Sequence, residues 1–235
     1  MSLTDTMHAM KNLDNATAHP ASEYDKNIRK SIPFYDQLHE ATINVVSSYR
    51  NDPMIWLDVG CGTGTLIEKA YDVFPTTRFI LADPSAAMLD LAAAKLNGKD
   101  RVTIQKPVAA GQLVLTEQAD VVSAIQSLHY LDINRRRQAV QNCYRLLRTG
   151  GIFVTFENIR PLTEKGTEVG KSNWQHYEVR AGKSVEEARK HVERFGVEFF
   201  PITIEEHLRL LREASFKVVE LLWYSYLQAG FYCIK

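Results

Sequence analysis

Residues 57–64 read Leu57-Asp58-Val59-Gly60-Cys61-Gly62-Thr63-Gly64. The apolar run Ile55-Trp56-Leu57 enters this stretch and an amphipathic one, Thr65 to Val73, leaves it, so the loop joins a buried strand to a helix. Glycines here permit a tight turn and let a ligand approach the backbone closely at the helix N-terminus. A dinucleotide site uses the same device, but two features set this loop apart. Asp58, beside it, would repel a pyrophosphate and attract an ammonium group. The third glycine, Gly64, falls one residue earlier than GxGxxG requires, with Thr65 in that place. The loop therefore favours a nucleoside bearing an amino-acid ammonium over one bearing phosphates.

Working outward, Phe79–Ala82, Val102–Ile104, Val121–Ala124 and Ile152–Phe156 are short apolar runs, while Ser85–Leu96 and Asn134–Leu147 carry apolar residues at helical spacing. This alternation predicts an α/β fold, a Rossmann-like, mostly parallel sheet with crossover helices. The tail departs from it. A helix at about Thr203–Ala214 leads into Val218–Tyr224 and Gln228–Ile234, separated by too few residues for a crossover, so these strands form an antiparallel C-terminal hairpin. Tyr24–Tyr49 reads as two helical pieces broken near Pro33. The expected divisions are a disordered or tag-like leader over 1–20, an N-terminal helical lid over 21–50, and the main domain over 51–235, with an insertion after strand 5 at 160–201.

The 235 residues, 45% hydrophobic and 24% charged, are enough for one sizeable core. Lys+Arg and Asp+Glu both total 28, so no basic excess points to nucleic acid as a direct ligand. Cys61, Cys143 and Cys233 fit neither a disulfide framework nor a CxxC metal site, and His176 and His191 lack neighbours at metal-ligand spacing, so no metal is expected. No window reaches the ~20 apolar residues of a membrane span, and a cytoplasmic location is expected.

Asp83 stands ~20 residues beyond the glycine loop, where an acid accepts hydrogen bonds from both ribose hydroxyls; it could instead simply precede the helix that Ser85 opens. Met88, one turn on, could cover an adenine face. S-adenosylmethionine (SAM) is the nucleoside with an ammonium and no phosphate. The ordered motifs Leu57 to Gly64, Ala82-Asp83-Pro84-Ser85 with Met88-Leu89, Ser127-Leu128-His129-Tyr130-Leu131 and Leu146-Leu147-Arg148-Thr149-Gly150-Gly151 resemble those of class I SAM-dependent methyltransferases over about residues 54–158. The resemblance implies a seven-stranded sheet. It also implies that Asp58, Gly60 and Gly62 hold the methionine part, Asp83 the ribose, and Val108 and Ala109 the adenine edge; Cys61, Pro84, Met88 and Gln126 are placed as further cofactor contacts. Val108 stands where members often have an acid, which leaves backbone contacts there. The ends, Lys30-Ser31-Ile32-Pro33-Phe34-Tyr35 and Val219 to Trp223 through Ile234-Lys235, resemble the bacterial carboxy-SAM synthases of tRNA wobble-uridine modification. Those enzymes hold a carboxylate with an arginine of the insertion, onto which Arg180, Arg189 and Arg194 do not align without gaps.

Methyl transfer from a sulfonium is an in-line displacement that asks the protein mainly to position the acceptor. His129, at the carboxyl ends of the strands, is the candidate base, or else a histidine that shapes its loop. Tyr35 is a second catalytic candidate. Tyr24 and Arg29 of the lid are placed as cofactor contacts, Arg29 through paired hydrogen bonds to a carboxylate of SAM or of an acceptor, or else as a solvated arginine on the helix face. Trp174, His176, Tyr177 and Arg180 could line an acceptor pocket or pack beneath the lid, and Ser184–Arg194 reads as a solvated face. The expected activity is methyl transfer to a small molecule, with S-adenosyl-L-homocysteine as cofactor product. A carboxy-SAM synthase-like enzyme and a noncatalytic SAM-binding domain are the alternatives. The insertion and the hairpin around Trp223–Leu227 could support a homodimer.

Overall fold

A computed structural model describes residues 14–235. Its seven strands lie in the order β3-β2-β1-β4-β5-β7-β6. These are β1 Ile55–Val59, β2 Arg78–Ala82, β3 Val102–Ile104, β4 Ala119–Ile125, β5 Leu147–Asn158, β6 Val218–Ser225 and β7 Gln228–Ile234. The first five pair in parallel, whereas β7 runs antiparallel between β5 and β6. The sheet is the one the apolar runs predict, closed by the expected hairpin.

Every residue of β1 is buried, and its side chains alternate between two cores. Ile55, Leu57 and Val59 join Val122, Phe153 and Phe231 on one face, while Trp56 joins Phe79, Val121 and Val154 on the other. Burial on both faces is why these strands read as continuous apolar runs. Helices α5 (Ile133–Leu146) and α8 (Ile204–Glu213) cover the first face through Val140, Leu210 and Leu211. The second is covered by α2 (Tyr35–Tyr49), α3 (Thr65–Ala70) and α4 (Ala86–Lys95) through Leu38, Ile67 and Ala92. Side-chain caps set the starts: Ser85 accepts from the Met88 amide, Asp132 from Asn134 and Arg135, and Thr203 forms a reciprocal box with Glu206.

The lid consists of α1 (Tyr24–Ser31) and α2, separated by Phe34 at φ 56°. The insertion supplies α6 (Glu164–Arg180) and α7 (Val185–Glu193), which with Phe199 and Leu227 build a small core of their own around Trp174. That core is tied to the lid by the Trp174 indole N–H, which donates to the Ser31 carbonyl at 2.7 Å. The expected break at residue 20 is corrected. Ala21 donates its amide to Asp14 Oδ1, Ser85 Oγ donates to the Asp14 carbonyl, and Arg194 Nη2 donates to the Ala16 carbonyl, so 14–20 run as a strap from α4 to the insertion. The rest of the predicted leader lies outside the described residues.

Candidate functional site

The glycine loop sits where β1 ends, and its three glycines all have positive φ, 67°, 52° and 77° at Gly60, Gly62 and Gly64. A Cβ on Gly60 would fall 2.4 Å from Ser127 Cβ, whereas one on Gly62 would meet nothing within 4 Å. Gly60 is thus required by packing, and Gly62 offers bare backbone on an open side. Asp83 braces the loop, with Oδ2 accepting from the Gly62 amide at 3.0 Å and Oδ1 from the Ser85 amide at 2.8 Å.

Asp58 lies beneath the loop instead of on its rim. It is 2% exposed and accepts a hydrogen bond from Ser123 Oγ at 2.6 Å, Ser123 in turn accepting from the Trp56 indole at 2.8 Å. Burial pushes the Asp58 carboxyl up to about 7 against the pull of Ser123, with Asp83 adding repulsion. Burial also raises Asp83. Two shielded carboxyls flanking one loop make a region where a ligand cation relieves repulsion. Met88 is buried. The Val108 amide donates to the Asp83 carbonyl at 3.1 Å, which ties the segment holding Val108 and Ala109 to the end of β2.

The lid closes on this loop through residues that sequence reasoning did not single out. Asp25 Oδ1 accepts from Thr63 Oγ1 at 2.6 Å, and Lys95 Nζ bonds Asp25, Thr63 and Thr65. Tyr35 is buried, its hydroxyl pushed up to about 12 by burial against hydrogen bonds with Thr65 and Tyr24. A phenol so hard to ionise is a hydrogen-bonding group and not a base at neutral pH. Arg29 is half-exposed and forks onto Asp36 at 2.7 and 2.8 Å, an ion pair within the lid.

His129 is enclosed at the end of β4. It is 1% exposed, with Nδ1 3.0 Å from Glu157 Oε2 and Nε2 3.2 Å from Asn158 Nδ2. Gln228 Nε2 donates to Asn158 Oδ1, which orients that amide to donate to Nε2 and leaves Nδ1–H to Glu157. Burial lowers the imidazole from its ordinary value although Glu157 raises it. With both ring nitrogens spent, His129 shapes its loop, as does buried Arg136, which donates to the Leu128, His129 and Phe200 carbonyls.

A pocket of about 20 Å³ opens at the carboxyl ends of β4 and β5, lined by Gln126, Tyr130 and Asn158, by Ser31 of the lid, by His19 of the strap and by Trp174 and His191 of the insertion. Gln126, held at φ 54° and 7% exposed, has neither side-chain amide atom paired. Such a buried, unpartnered amide points to a ligand. Trp174 both packs and lines the pocket. The expected solvated face of 184–194 is only partly one: His191 contacts buried Glu178, which Lys183 also contacts at 3.0 Å, and Arg194 pairs with Glu198. His176 and Arg180 are exposed. Among the described residues no three His, Cys, Asp or Glu side chains gather as metal ligands, and no helix is long and apolar enough to cross a membrane. The structure thus brings Asp58, Gly60, Cys61, Gly62, Asp83, Pro84, Met88, Ala109 and Gln126 to one end of the sheet, with Tyr24 and Tyr35 against the loop from the lid.

Residues 57–153 match the family model described as a methyltransferase domain. Fold and match agree on the class this chain is similar to, the methyltransferase domains, over the stretch from the glycine loop to β5. More particular likenesses follow from whole-chain comparison. The carboxy-S-adenosyl-L-methionine synthase of Staphylococcus epidermidis is 23% identical over 207 residues, 88% of this chain and 89% of that protein. Among solved structures, the N-methyltransferase NodS of Bradyrhizobium japonicum, in complex with S-adenosyl-l-homocysteine, has a TM-score of 0.58 at 14% identity, covering 86% of this chain and 88% of that one. An O-methyltransferase family protein from Burkholderia thailandensis has a TM-score of 0.59 at 16% identity over 85% of this chain, which spans 56% of its length.

Proposed function

We propose that this chain binds SAM across the glycine loop and transfers its methyl group to a small molecule seated in the pocket behind Gln126. The observation that carries the reading is the pairing of an open, positive-φ Gly62 with two buried carboxyls and, at the end of the neighbouring strand β4, an unpaired buried amide. The Gly62 side admits the amino-acid end, Asp58 and Asp83 favour its cation, Asp83 accepts from ribose, and Gln126 stands on the strand end that faces the acceptor. The residues do no covalent chemistry in this scheme. They place the sulfonium and acceptor in line and exclude water, with the strap and insertion closing over them. Neither His129 nor Tyr35 is free to serve as a base, so an acceptor already nucleophilic at neutral pH fits best.

A second reading is a carboxy-SAM synthase-like enzyme, supported by the named relatives over most of the chain and by the cations Lys183 and Arg194 near the pocket. A homodimer through the edge strand β6, where Leu221 and Tyr224 are exposed, belongs to the same proposal; sedimentation showing only monomer removes it. Mass spectrometry of the ligand released from gently purified protein decides between the two activities. SAM or its demethylated product supports methyl transfer, carboxy-SAM supports the second reading, and NAD overturns both.

A further inference from the structure

Lys95 is the last residue of α4, far along the chain from both the lid and the strand that leads into the glycine loop. Its ammonium is nonetheless saturated by three oxygens: Asp25 Oδ2 at 2.7 Å, Thr65 Oγ1 at 2.8 Å and Thr63 Oγ1 at 3.0 Å. An ammonium has three donors, so no capacity is left over. Thr63 and Thr65 are buried, and Thr63 closes the ring by donating to Asp25 Oδ1 at 2.6 Å. Two of the four members belong to the segment running from the glycine loop into α3, one to α4 and one, Asp25, to the lid. On its opposite side the same loop is held by Asp83 through the Gly62 amide.

We infer that Lys95 is a positioning residue for the cofactor, a latch through which closure of the amino-terminal lid and the conformation of the glycine loop become one equilibrium. When α1 lifts, Asp25 leaves, Lys95 loses its only carboxylate and Thr63 its acceptor, and the turn at Gly62–Gly64 loses the brace on its outer side. Closure restores all of these together. Beside the lid, residues 14–19 run from Ser85, the cap of α4, to Arg194 of the insertion and line the pocket with Thr17, Ala18 and His19. The inference rests on the proposed seating of SAM at this loop, but the latch itself is a property of the ligand-free chain.

Hydrogen exchange on the ligand-free protein tests the latch first, following amides of 24–31 and 62–66. Lys95→Met speeds exchange about tenfold in both segments, Lys95→Arg restores most of the protection, and adding Lys95→Met to Asp25→Asn brings little further change, since both break one unit. A residue with a merely structural role in α4 would instead affect the two segments unequally and add to Asp25→Asn. Either of those results overturns the latch, and Asp25→Asn, on a half-exposed lid carboxylate, supplies the answer if Lys95→Met does not fold. Calorimetric titration of SAM then tests positioning, with about a tenfold weaker affinity expected for Lys95→Met. Wild type that binds SAM while Lys95→Met binds it equally well overturns this inference alone; wild type that binds no SAM overturns the proposed function and leaves the exchange result to decide the latch.

Discussion

Asp58 shows how a residue legible in sequence acquires its property only from the fold. Its position before the glycines marks it as an acid beside a ligand, but its burial under Ser123 raises its carboxyl to about 7. An unfolded aspartate titrates near 3.8, so between these values the folded chain holds a proton that the unfolded chain has lost. The stability this group contributes is therefore present at low pH and declines as pH rises from ~4 to ~7. Urea unfolding of wild type and Asp58→Asn from pH 5 to 8 should show the variant gaining on wild type as pH rises; a constant difference would mean that Asp58 is ionised throughout. His129 gives the opposite lesson. Its loop position suggests a base, and nothing in the chain announces Glu157 and Asn158 as partners for its two nitrogens. Replacing it with Gln should cost about 1–3 kcal/mol in unfolding free energy through unpaired buried groups. Once an acceptor is in hand, the pH profile of turnover should keep its shape; loss of an acidic limb near neutrality would restore His129 as a base.

At the scale of elements, the strands were legible because burial on both faces makes each a continuous apolar run, and α4, α5 and α8 because periodicity and caps agree at Ser85, Asp132 and Thr203. The insertion was not. Its helices pack against the lid through single contacts with no local period, such as Trp174 to the Ser31 carbonyl more than a hundred residues away. The charge of 184–194 looked solvated because the sequence does not reveal Glu178, fully buried behind it, as the partner of Lys183 and His191. Trp174→Phe keeps the packing but strands the Ser31 carbonyl, which should cost about 1–3 kcal/mol. The lid should also become more sensitive to limited proteolysis; equal resistance would show that the insertion does not hold the lid shut.

For the whole molecule, the cofactor end of the site was readable from one loop and one acid because both sit on adjacent parallel strands, where sequence order dictates position. The acceptor end was not, since strap, lid, sheet and insertion each supply only one or two of its walls. This division explains why the glycine loop could be placed from sequence while the walls of the pocket come from elements that no motif governs. The central claim, that the glycine loop seats SAM with the help of Asp58, is tested most directly by calorimetric titration of SAM and NAD onto ligand-free wild type and Asp58→Asn. The account predicts that SAM binds, NAD does not, and the variant binds SAM about tenfold or more weakly. Preference for NAD, or SAM affinity indifferent to Asp58→Asn, would contradict it.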